Sequence, residues 1–235
     1  PHGLHARKET VGTGAAVVAM KVSALIPAKS FANAKKRLTP SLTPSERKVL
    51  AKTMLRDVLE QVVPARGLEG TFVVTANDDV DRLASSLGAW VIREKEENGE
   101  TSAVQMALAE LRRRGVDAVL VLPGDIPLIR SEDVELVLAQ VAEEKLDSPF
   151  ALLVPSHDRM GTNGLLLSPP DVIQLRFGHD SFSYHLGEVA ANNLSLCVVE
   201  NERIALDIDE PKDLQRLLSA GIGGSAYSTL LHPAP

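Results

Sequence analysis

Short apolar runs alternate with segments of helical periodicity from Val22 to Glu144, and this alternation constrains the fold more than any other feature. The apolar runs are bounded by turn residues and are too short for core helices, which is typical of buried strands. Strand–helix units in series form a parallel sheet, because each helix returns the chain to the same end of the sheet. The sequence therefore predicts an α/β fold with a mainly parallel central sheet and helices on both faces.

Local signals define the individual elements. Thr43-Pro44-Ser45-Glu46 is a capping box, with proline at the first helical position. The predicted helices cover residues 44–62, 78–87, 102–114, 132–144 and 211–218, with Thr101 and Ser131 as N-caps of the third and fourth. The predicted strands cover residues 22–26, 71–75, 89–92, 116–122, 150–154, 164–167, 194–199 and 204–208.

The length of 235 residues and an apolar content of 44% suffice for one large α/β domain. We assign that domain to residues 20–218. Residues 12–19 form a small apolar run that Lys21 interrupts before the first strand, so we expect residues 1–19 to be an N-terminal extension outside the fold. Residues 219–235 are rich in Gly, Ser, Ala and Pro, and we expect a loosely ordered C-terminal tail.

Charge and composition exclude several classes of protein. The net charge is −6, and no broad basic face is indicated, so we expect no nucleic-acid partner. Cys197 is the only cysteine, which excludes an internal disulfide and a cysteine-rich zinc site. No apolar run approaches the length of a membrane helix, and we expect a cytoplasmic protein without a membrane partner.

Three carboxylates are candidate metal ligands. Asp125 lies just after the predicted strand that ends at Leu122, where α/β sheets bind ligands. Asp207 and Asp209 are two residues apart, so in an extended segment they project from the same side. The pattern favours a Mg²⁺ site made by Asp125, Asp207 and Asp209. The alternative is that Asp125 is a turn residue and that the other two cap the helix at Pro211.

A basic segment follows the first predicted strand. Lys29, Lys35 and Arg37 can meet phosphate groups, lysine as a point charge and arginine as a planar fork. The alternative is a solvated run of charges, since no glycine-rich phosphate-binding loop accompanies the segment. Acidic metal ligands together with a basic loop indicate phosphate chemistry.

Two loops of small residues form a third candidate cluster. Thr162 and Ser181 offer hydroxyl groups, and Gly178 permits close approach of the backbone, so the loops can bind a phosphate or a carboxylate. The alternative is two ordinary turns, with Ser181 as the N-cap of a short helix. The histidines nearby are not spaced for zinc and are interpreted as surface or packing residues.

Six short motifs occur in a fixed order: Ile-Pro-Ala-Lys29, Ala34-Lys35-Lys36-Arg37-Leu38, Pro-Gly-Asp125-Ile-Pro, Gly-Thr162-Asn-Gly, Phe-Gly178-His-Asp-Ser181-Phe and Leu-Asp207-Ile-Asp209-Glu-Pro. Together they resemble the CofC/FbiD family of guanylyltransferases from coenzyme F-420 biosynthesis. Members of that family join GTP to phosphoenolpyruvate or 2-phospho-L-lactate and release pyrophosphate. The resemblance implies a single-domain, Rossmann-like nucleotidyltransferase fold of the nucleotide-diphospho-sugar transferase type.

The resemblance also implies a role for each candidate residue. Asp125, Asp207 and Asp209 would bind Mg²⁺, and Lys35 and Arg37 would contact the triphosphate of GTP. Lys29, Thr162, Gly178 and Ser181 would hold the three-carbon phospho-acid. Catalysis would then consist of positioning and charge neutralisation, in which Lys29, Lys35, Arg37 and Asp125 take part.

The sequence departs from the family at Gly99-Glu100-Thr101-Ser102, where many members have Gly-Leu-Asn. The resemblance implies that this stretch lies near the base of the nucleotide, so the preference for guanine over adenine stays open. Two other functions stay open. One is a nucleotidyltransferase for a molybdenum cofactor or a sugar phosphate, although Ile26-Pro27-Ala28-Lys29 replaces the glycine-rich loop typical of those enzymes. The other is a non-catalytic module that senses a nucleotide. The choice of phospho-acid is also open, with phosphoenolpyruvate preferred, and a homodimer is one alternative for the oligomeric state.

Overall fold

A computed structural model describes residues 20–219 and Tyr227, and its centre is a seven-stranded sheet. The strands are β1 (Val22–Pro27), β2 (Gly70–Thr75), β3 (Trp90–Arg93), β4 (Ala118–Val121), β5 (Phe150–Pro155), β6 (Thr162–Ser168) and β7 (Ser195–Val198). The helices are α1 (Pro44–Val62), α2 (Asp78–Ser86), α3 (Glu100–Arg113), α4 (Ser131–Glu143), α5 (Ser181–Ala191) and α6 (Pro211–Ser219). None of these helices has the length and apolar character needed to cross a membrane.

The strand order is β3-β2-β1-β4-β6-β5-β7, and the sheet is mainly parallel, as predicted. Strands β3, β2, β1 and β4 are parallel neighbours, and β5 pairs in parallel with β7. Strand β6 is antiparallel to both β4 and β5. The reversal follows from the short connection between β5 and β6, since a parallel crossover needs a dozen or more residues.

Helices cover both faces of the sheet, which confirms the predicted architecture. Apolar residues of α1, α2 and α4 pack on one face, and those of α3 and α5 pack on the other. Successive strand residues alternate between the two cores: Leu120 of β4 faces the first, while Val119 and Val121 face the second. Because both faces are buried, the central strands are apolar throughout, which explains their continuous apolar runs in the sequence.

Two predicted helix caps are wrong, whereas the capping box at Thr43 is confirmed by its reciprocal hydrogen bonds with Glu46. Helix α3 begins at Glu100, two residues earlier than predicted, after Gly99 with φ of 96°. The Thr101 hydroxyl instead accepts a hydrogen bond from the Phe177 N–H, at 3.0 Å. Ser131 is the first residue of α4, and its hydroxyl donates to the Gln61 carbonyl at 2.7 Å.

The predicted strand over residues 204–208 is also wrong, since this segment is irregular. The Asn163 side-chain amide donates to the carbonyls of Ile204 and Ala205, both at 3.1 Å. The Ile208 N–H donates to the Asp125 carbonyl at 3.0 Å. The backbone polar groups are therefore satisfied by separate contacts rather than by a ladder, so an apolar run forms here without a strand.

The two predicted terminal segments fall almost wholly outside the described residues. Nothing of residues 1–19 is described, and the predicted tail is described only at Ser219 and Tyr227. Tyr227 is buried, and its hydroxyl donates to the Asp57 carboxylate of α1. At that position the tail packs against the domain.

Candidate active site

Two cavities open at the edge of the sheet where β1 and β4 end and β6 begins. The first has a volume of about 470 Å³ and is lined by the β1 loop and the start of α3. The second has a volume of about 420 Å³ and is lined by the loops before β6 and α5. Both cavities are lined by Arg37, Glu100, Asp125 and Asp209, so the predicted charged residues lie where the two cavities adjoin.

Asp125 reaches this edge through the Pro123-Gly124 turn that follows β4. A Cβ atom at Gly124 would lie 3.0 Å from Cδ1 of Leu55, so glycine lets the turn pass close to α1. The Asp125 carbonyl accepts a hydrogen bond from the Ile208 N–H. This bond brings the segment with Asp207 and Asp209 to the same edge, as the sequence predicted for the three carboxylates.

Lys35 occupies the space between two of these carboxylates. Its ammonium forms ion pairs with Asp125 and with Asp209, the latter at 2.8 Å, and its side chain is only 9% exposed. Burial by itself lowers the pKa of Lys35, but the charges of Asp125 and Asp209 outweigh burial and raise that pKa. The backbone of Lys35 is left-handed, with φ of 53°, a costly conformation for a residue with a side chain.

Arg37 lies on the open side of the same cluster. Its Nη1 is 3.3 Å from Oδ2 of Asp209, and its side chain is largely exposed. Burial tends to raise the pKa of Asp209, but the neighbouring Lys35 and Arg37 lower it, so this carboxylate is ionised. Lys35 and Arg37, the two cations predicted to contact the triphosphate, are therefore both paired with carboxylates.

Asp207 lies beside Asn163, a residue to which the sequence gave no role. The Asn163 amide donates to Oδ1 of Asp207 at 3.0 Å, in addition to its two backbone contacts. Burial raises the pKa of Asp207, and the charge of Asp125 raises it further. Asn163 therefore positions the segment and its carboxylate through one side chain.

The residues present fit a hard divalent cation such as Mg²⁺. The donors are all carboxylate oxygens, and Oδ1 of Asp125 is buried without a hydrogen-bond partner among the described residues. Over residues 20–219 and Tyr227, no three acidic, histidine or cysteine side chains are already arranged around a metal position. The ammonium of Lys35 instead pairs directly with Asp125 and Asp209.

The third predicted cluster lines the second cavity. Thr162 is the first residue of β6, and its N–H donates to Oγ of Ser181, the first residue of α5, at 3.0 Å. Gly178 has φ of 103°, a conformation that favours glycine. Asp180, not Ser181, is the residue before α5, so the alternative of Ser181 as an N-cap is wrong.

Lys29 is separated from the other three residues predicted to hold the acid. It lines the first cavity, whereas Thr162, Gly178 and Ser181 line the second.

Glu100 lies at both cavities and has a pKa raised by burial and by the charge of Asp125. No role is predicted for Glu100 from the sequence, although it lies within Gly99-Glu100-Thr101-Ser102, the stretch that departs from the resembled family.

Comparison with known proteins identifies the family. The model of the family described as "Guanylyl transferase CofC like" matches residues 22–232. The chain belongs to this family. It is 39% identical to the phosphoenolpyruvate guanylyltransferase of Rubrobacter xylanophilus, over 86% of this chain and 96% of that protein. It is 35% identical to the 2-phospho-L-lactate guanylyltransferase of Methanothermobacter thermautotrophicus, over 90% of each.

The fold assignment is confirmed independently by a solved structure. A nucleotide-diphospho-sugar transferase from Desulfovibrio desulfuricans, whose own activity is a provisional assignment, superposes with a TM-score of 0.72. The match covers 91% of this chain and 95% of that chain at 18% sequence identity, which supports the fold alone. As a CofC-like guanylyltransferase, the chain is an enzyme of the nucleotidyltransferase class, and the alternative of a non-catalytic sensor is not supported.

Proposed function

We propose that this CofC-like enzyme transfers GMP from GTP to phosphoenolpyruvate and releases pyrophosphate, as a step of coenzyme F-420 biosynthesis. The observation that carries the proposal is the pair of adjoining cavities with shared charged residues. A transfer between two phosphorylated substrates needs one cavity for each, with the reacting groups meeting between them.

We assign the first cavity to GTP and the second to the acid. Lys29 and Lys35 line the first cavity and not the second, and Arg37 lies between the two, so the first cavity offers three cations to a triphosphate. The second contains the hydroxyls of Thr162 and Ser181 beside Gly178, a neutral donor set suited to a small anion. On this assignment, Lys29 serves the nucleotide phosphates rather than the acid.

The reaction requires no nucleophile from the protein. A phosphate oxygen of the acid attacks the α-phosphorus of GTP, a new P–O bond forms, and the bond to the leaving pyrophosphate breaks. The attacking oxygen is already anionic, so no base is needed. The work of the protein is to hold the two anions in line and to neutralise their charge, which Lys35 and Arg37 can do once phosphates replace their carboxylate partners.

Asp125, Asp207 and Asp209 are the residues we assign to Mg²⁺. A Mg²⁺ ion held there would neutralise charge on the phosphate oxygens of the nucleotide. Lys35 pairs with Asp125 and Asp209, so it would be free to contact a phosphate only after leaving at least one of these carboxylates. Its ion pairs compensate the charge of both carboxylates in the meantime.

Phosphoenolpyruvate is preferred over 2-phospho-L-lactate as the acceptor. The support is the higher identity to the Rubrobacter phosphoenolpyruvate enzyme, 39% against 35% for the Methanothermobacter enzyme that uses 2-phospho-L-lactate. Both acids carry a phosphate and a carboxylate, and they differ only in the bond between C2 and C3, which is double in phosphoenolpyruvate and single in 2-phospho-L-lactate.

The test is pyrophosphate release with Mg²⁺, in which GTP and ATP are each combined with the two acids. We expect release with GTP and phosphoenolpyruvate, and little with ATP. Release with GTP and 2-phospho-L-lactate alone would change the acceptor and keep the reaction. A folded enzyme that releases no pyrophosphate with either acid would contradict the proposal.

A further inference from the structure

We propose that His185 is a positioning residue. It donates a hydrogen bond to the hydroxyl oxygen of Thr162, so that the hydroxyl hydrogen is available to bind the phospho-acid in the second cavity. The inference rests on the proposed function for the identity of the acid. Its basis is a chain of two hydrogen bonds behind the cavity wall, from the backbone of Arg176 through His185 to Thr162.

His185 is fully buried in α5 and contacts protein groups at both ring nitrogens. Its Nδ1 lies 3.0 Å from Oγ1 of Thr162. Its Nε2 accepts a hydrogen bond from the backbone N–H of Arg176, at 3.3 Å. The ring packs edge-on against Phe177 and Tyr184, with ring centroids 5.4 and 5.8 Å away, so its orientation is fixed.

These contacts determine the position of the imidazole proton. A backbone N–H can only donate, so Nε2 must be the unprotonated nitrogen and Nδ1 must carry the hydrogen. Burial lowers the pKa of His185 to about 4, and the nearby Arg176 guanidinium contributes to that shift. The ring is therefore neutral at neutral pH, and its Nδ1–H donates to Thr162.

Because His185 donates to the Thr162 hydroxyl, the hydroxyl oxygen is an acceptor in that bond and its hydrogen is left to donate elsewhere. Oγ1 of Thr162 accepts from His185, and Oγ of Ser181 accepts from the Thr162 backbone N–H. In the described part of the chain neither hydroxyl donates to a protein acceptor, although both residues are buried at the cavity wall. Each hydroxyl hydrogen is left for a ligand, so the second cavity presents two O–H donors to an anion.

The first test is His185→Phe, which retains an aromatic ring and removes both nitrogens. We expect the KM for phosphoenolpyruvate to rise about tenfold, the loss of one oriented hydrogen bond to a charged group. The KM for GTP and kcat should stay within about twofold of wild type, because Thr162 acts on the acid alone. His185→Asn, whose amide can place an N–H near the Nδ1 position, should restore most of the affinity.

Ser183→Ala is the matched control, since Ser183 is exposed on the same helix and should leave all constants unchanged. The melting temperature of each variant separates misfolding from loss of the donor. An unchanged KM for phosphoenolpyruvate in His185→Phe, or an equal rise in the KM for GTP, would overturn the proposal.

A double-mutant cycle with Thr162→Val tests whether His185 acts through the threonine. If it does, His185→Phe adds nothing to the KM already raised by Thr162→Val, whereas an additive rise would overturn the proposal. A second test does not depend on catalytic activity: ¹⁵N NMR spectra of the wild type report which nitrogen of the His185 imidazole carries the proton. An Nδ1–H tautomer is expected, and an Nε2–H tautomer would refute the role of His185 even if no acid were converted.

Discussion

At the scale of single residues, the candidate site is organised by one buried cation and the carboxylates around it. Lys35 bridges Asp125 and Asp209, and its left-handed backbone turns the side chain into the cluster. Removing one member of a buried ionic group is costly, because the remaining charge is left without a partner. The same contacts hold the carboxylates in place for a metal and for the phosphates.

Asp125→Asn should lower the rate of pyrophosphate release by at least about 100-fold, since the variant lacks a charge that we assign to the metal. The fold should be retained, because asparagine has the same shape and Lys35 keeps its ion pair with Asp209. Steady-state kinetics at several Mg²⁺ concentrations, with the melting temperature, measure both effects. Asp147→Asn is the control, because Asp147 is exposed and remote from both cavities. Near-normal turnover by Asp125→Asn would refute the metal assignment.

Lys29→Ala distinguishes the two assignments of this lysine. Because Lys29 lines the first cavity, we expect the KM for GTP to rise about tenfold and the KM for the acid to change little. The sequence-based prediction is the reverse. Initial rates with each substrate varied in turn measure the two constants, with Lys52→Ala on the exposed side of α1 as a control. If only the KM for the acid rises, Lys29 binds the acid, as the sequence predicts, and the assignment to GTP is wrong.

The candidate residues differ in how far the sequence reveals them. Asp125, Asp207 and Asp209 follow from local patterns, since their positions after a strand and before a helix can be read directly. The roles of Asn163 and His185 depend on partners more than 20 residues away in sequence, Asp207 and Thr162 respectively. Such pairs are created by the tertiary fold, so no local pattern indicates them.

At the scale of elements, the irregular segment before α6 is held by side chains rather than by the sheet. Asp133 of α4 is 1% exposed, and its carboxylate accepts hydrogen bonds from Arg203 at 2.5 and 2.7 Å. It also accepts from the Asn201 amide at 2.8 Å and from the Arg130 N–H at 2.8 Å. These bonds attach the turn at residues 201–204 to α4 and so support the segment that carries Asp207.

Asp133→Asn should lower the free energy of unfolding by about 2 kcal/mol at pH 7, because buried donors lose a charged acceptor. Burial tends to raise the pKa of Asp133, but its hydrogen bonds with Arg203, Asn201 and the backbone outweigh burial, so the pKa of Asp133 is lowered overall. A lowered pKa in the folded state stabilises the protein above the unfolded pKa of about 3.9 and loses that effect as pH falls below it.

The difference between wild type and Asp133→Asn should therefore be constant near neutrality and shrink below about pH 4. Urea unfolding at several pH values measures it. The exposed neighbour provides a matched control, Glu132→Gln, which should change stability by less than about 0.5 kcal/mol. Equal stability of Asp133→Asn and wild type at pH 7 would contradict the role of this carboxylate.

Element type was predictable where periodicity was strong and long. The helix after Thr43 and the four parallel strands β1 to β4 follow from capping and apolar patterns. The apolar run at residues 204–208 was misread as a strand, because apolar side chains also pack under an irregular segment. Leu206 and Ile208 pack in a separate core with Leu38, Met54 and Leu214, whereas Ile204 packs in the core under α1, α2 and α4. Only the folded chain reveals this division.

At the scale of the whole molecule, the sheet brings three distant parts of the sequence to one edge. The β1 loop supplies cations, the turn after β4 supplies Asp125, and the segment before α6 supplies Asp207 and Asp209. The resulting charge lies between two cavities of similar volume, one on each side of the carboxylates. This geometry suits an enzyme that joins two anions, and it agrees with membership of a guanylyltransferase family.

The central claim is that the guanylyl group is transferred to the phosphate of the acid. The most direct measurement follows ³²P from the α-position of GTP in the presence of Mg²⁺ and phosphoenolpyruvate. We predict that the label enters a product that contains both guanosine and the three-carbon acid, with one pyrophosphate released for each product formed. Label that remains in GTP, or that is released as free GMP, would contradict transfer of the guanylyl group to the acid.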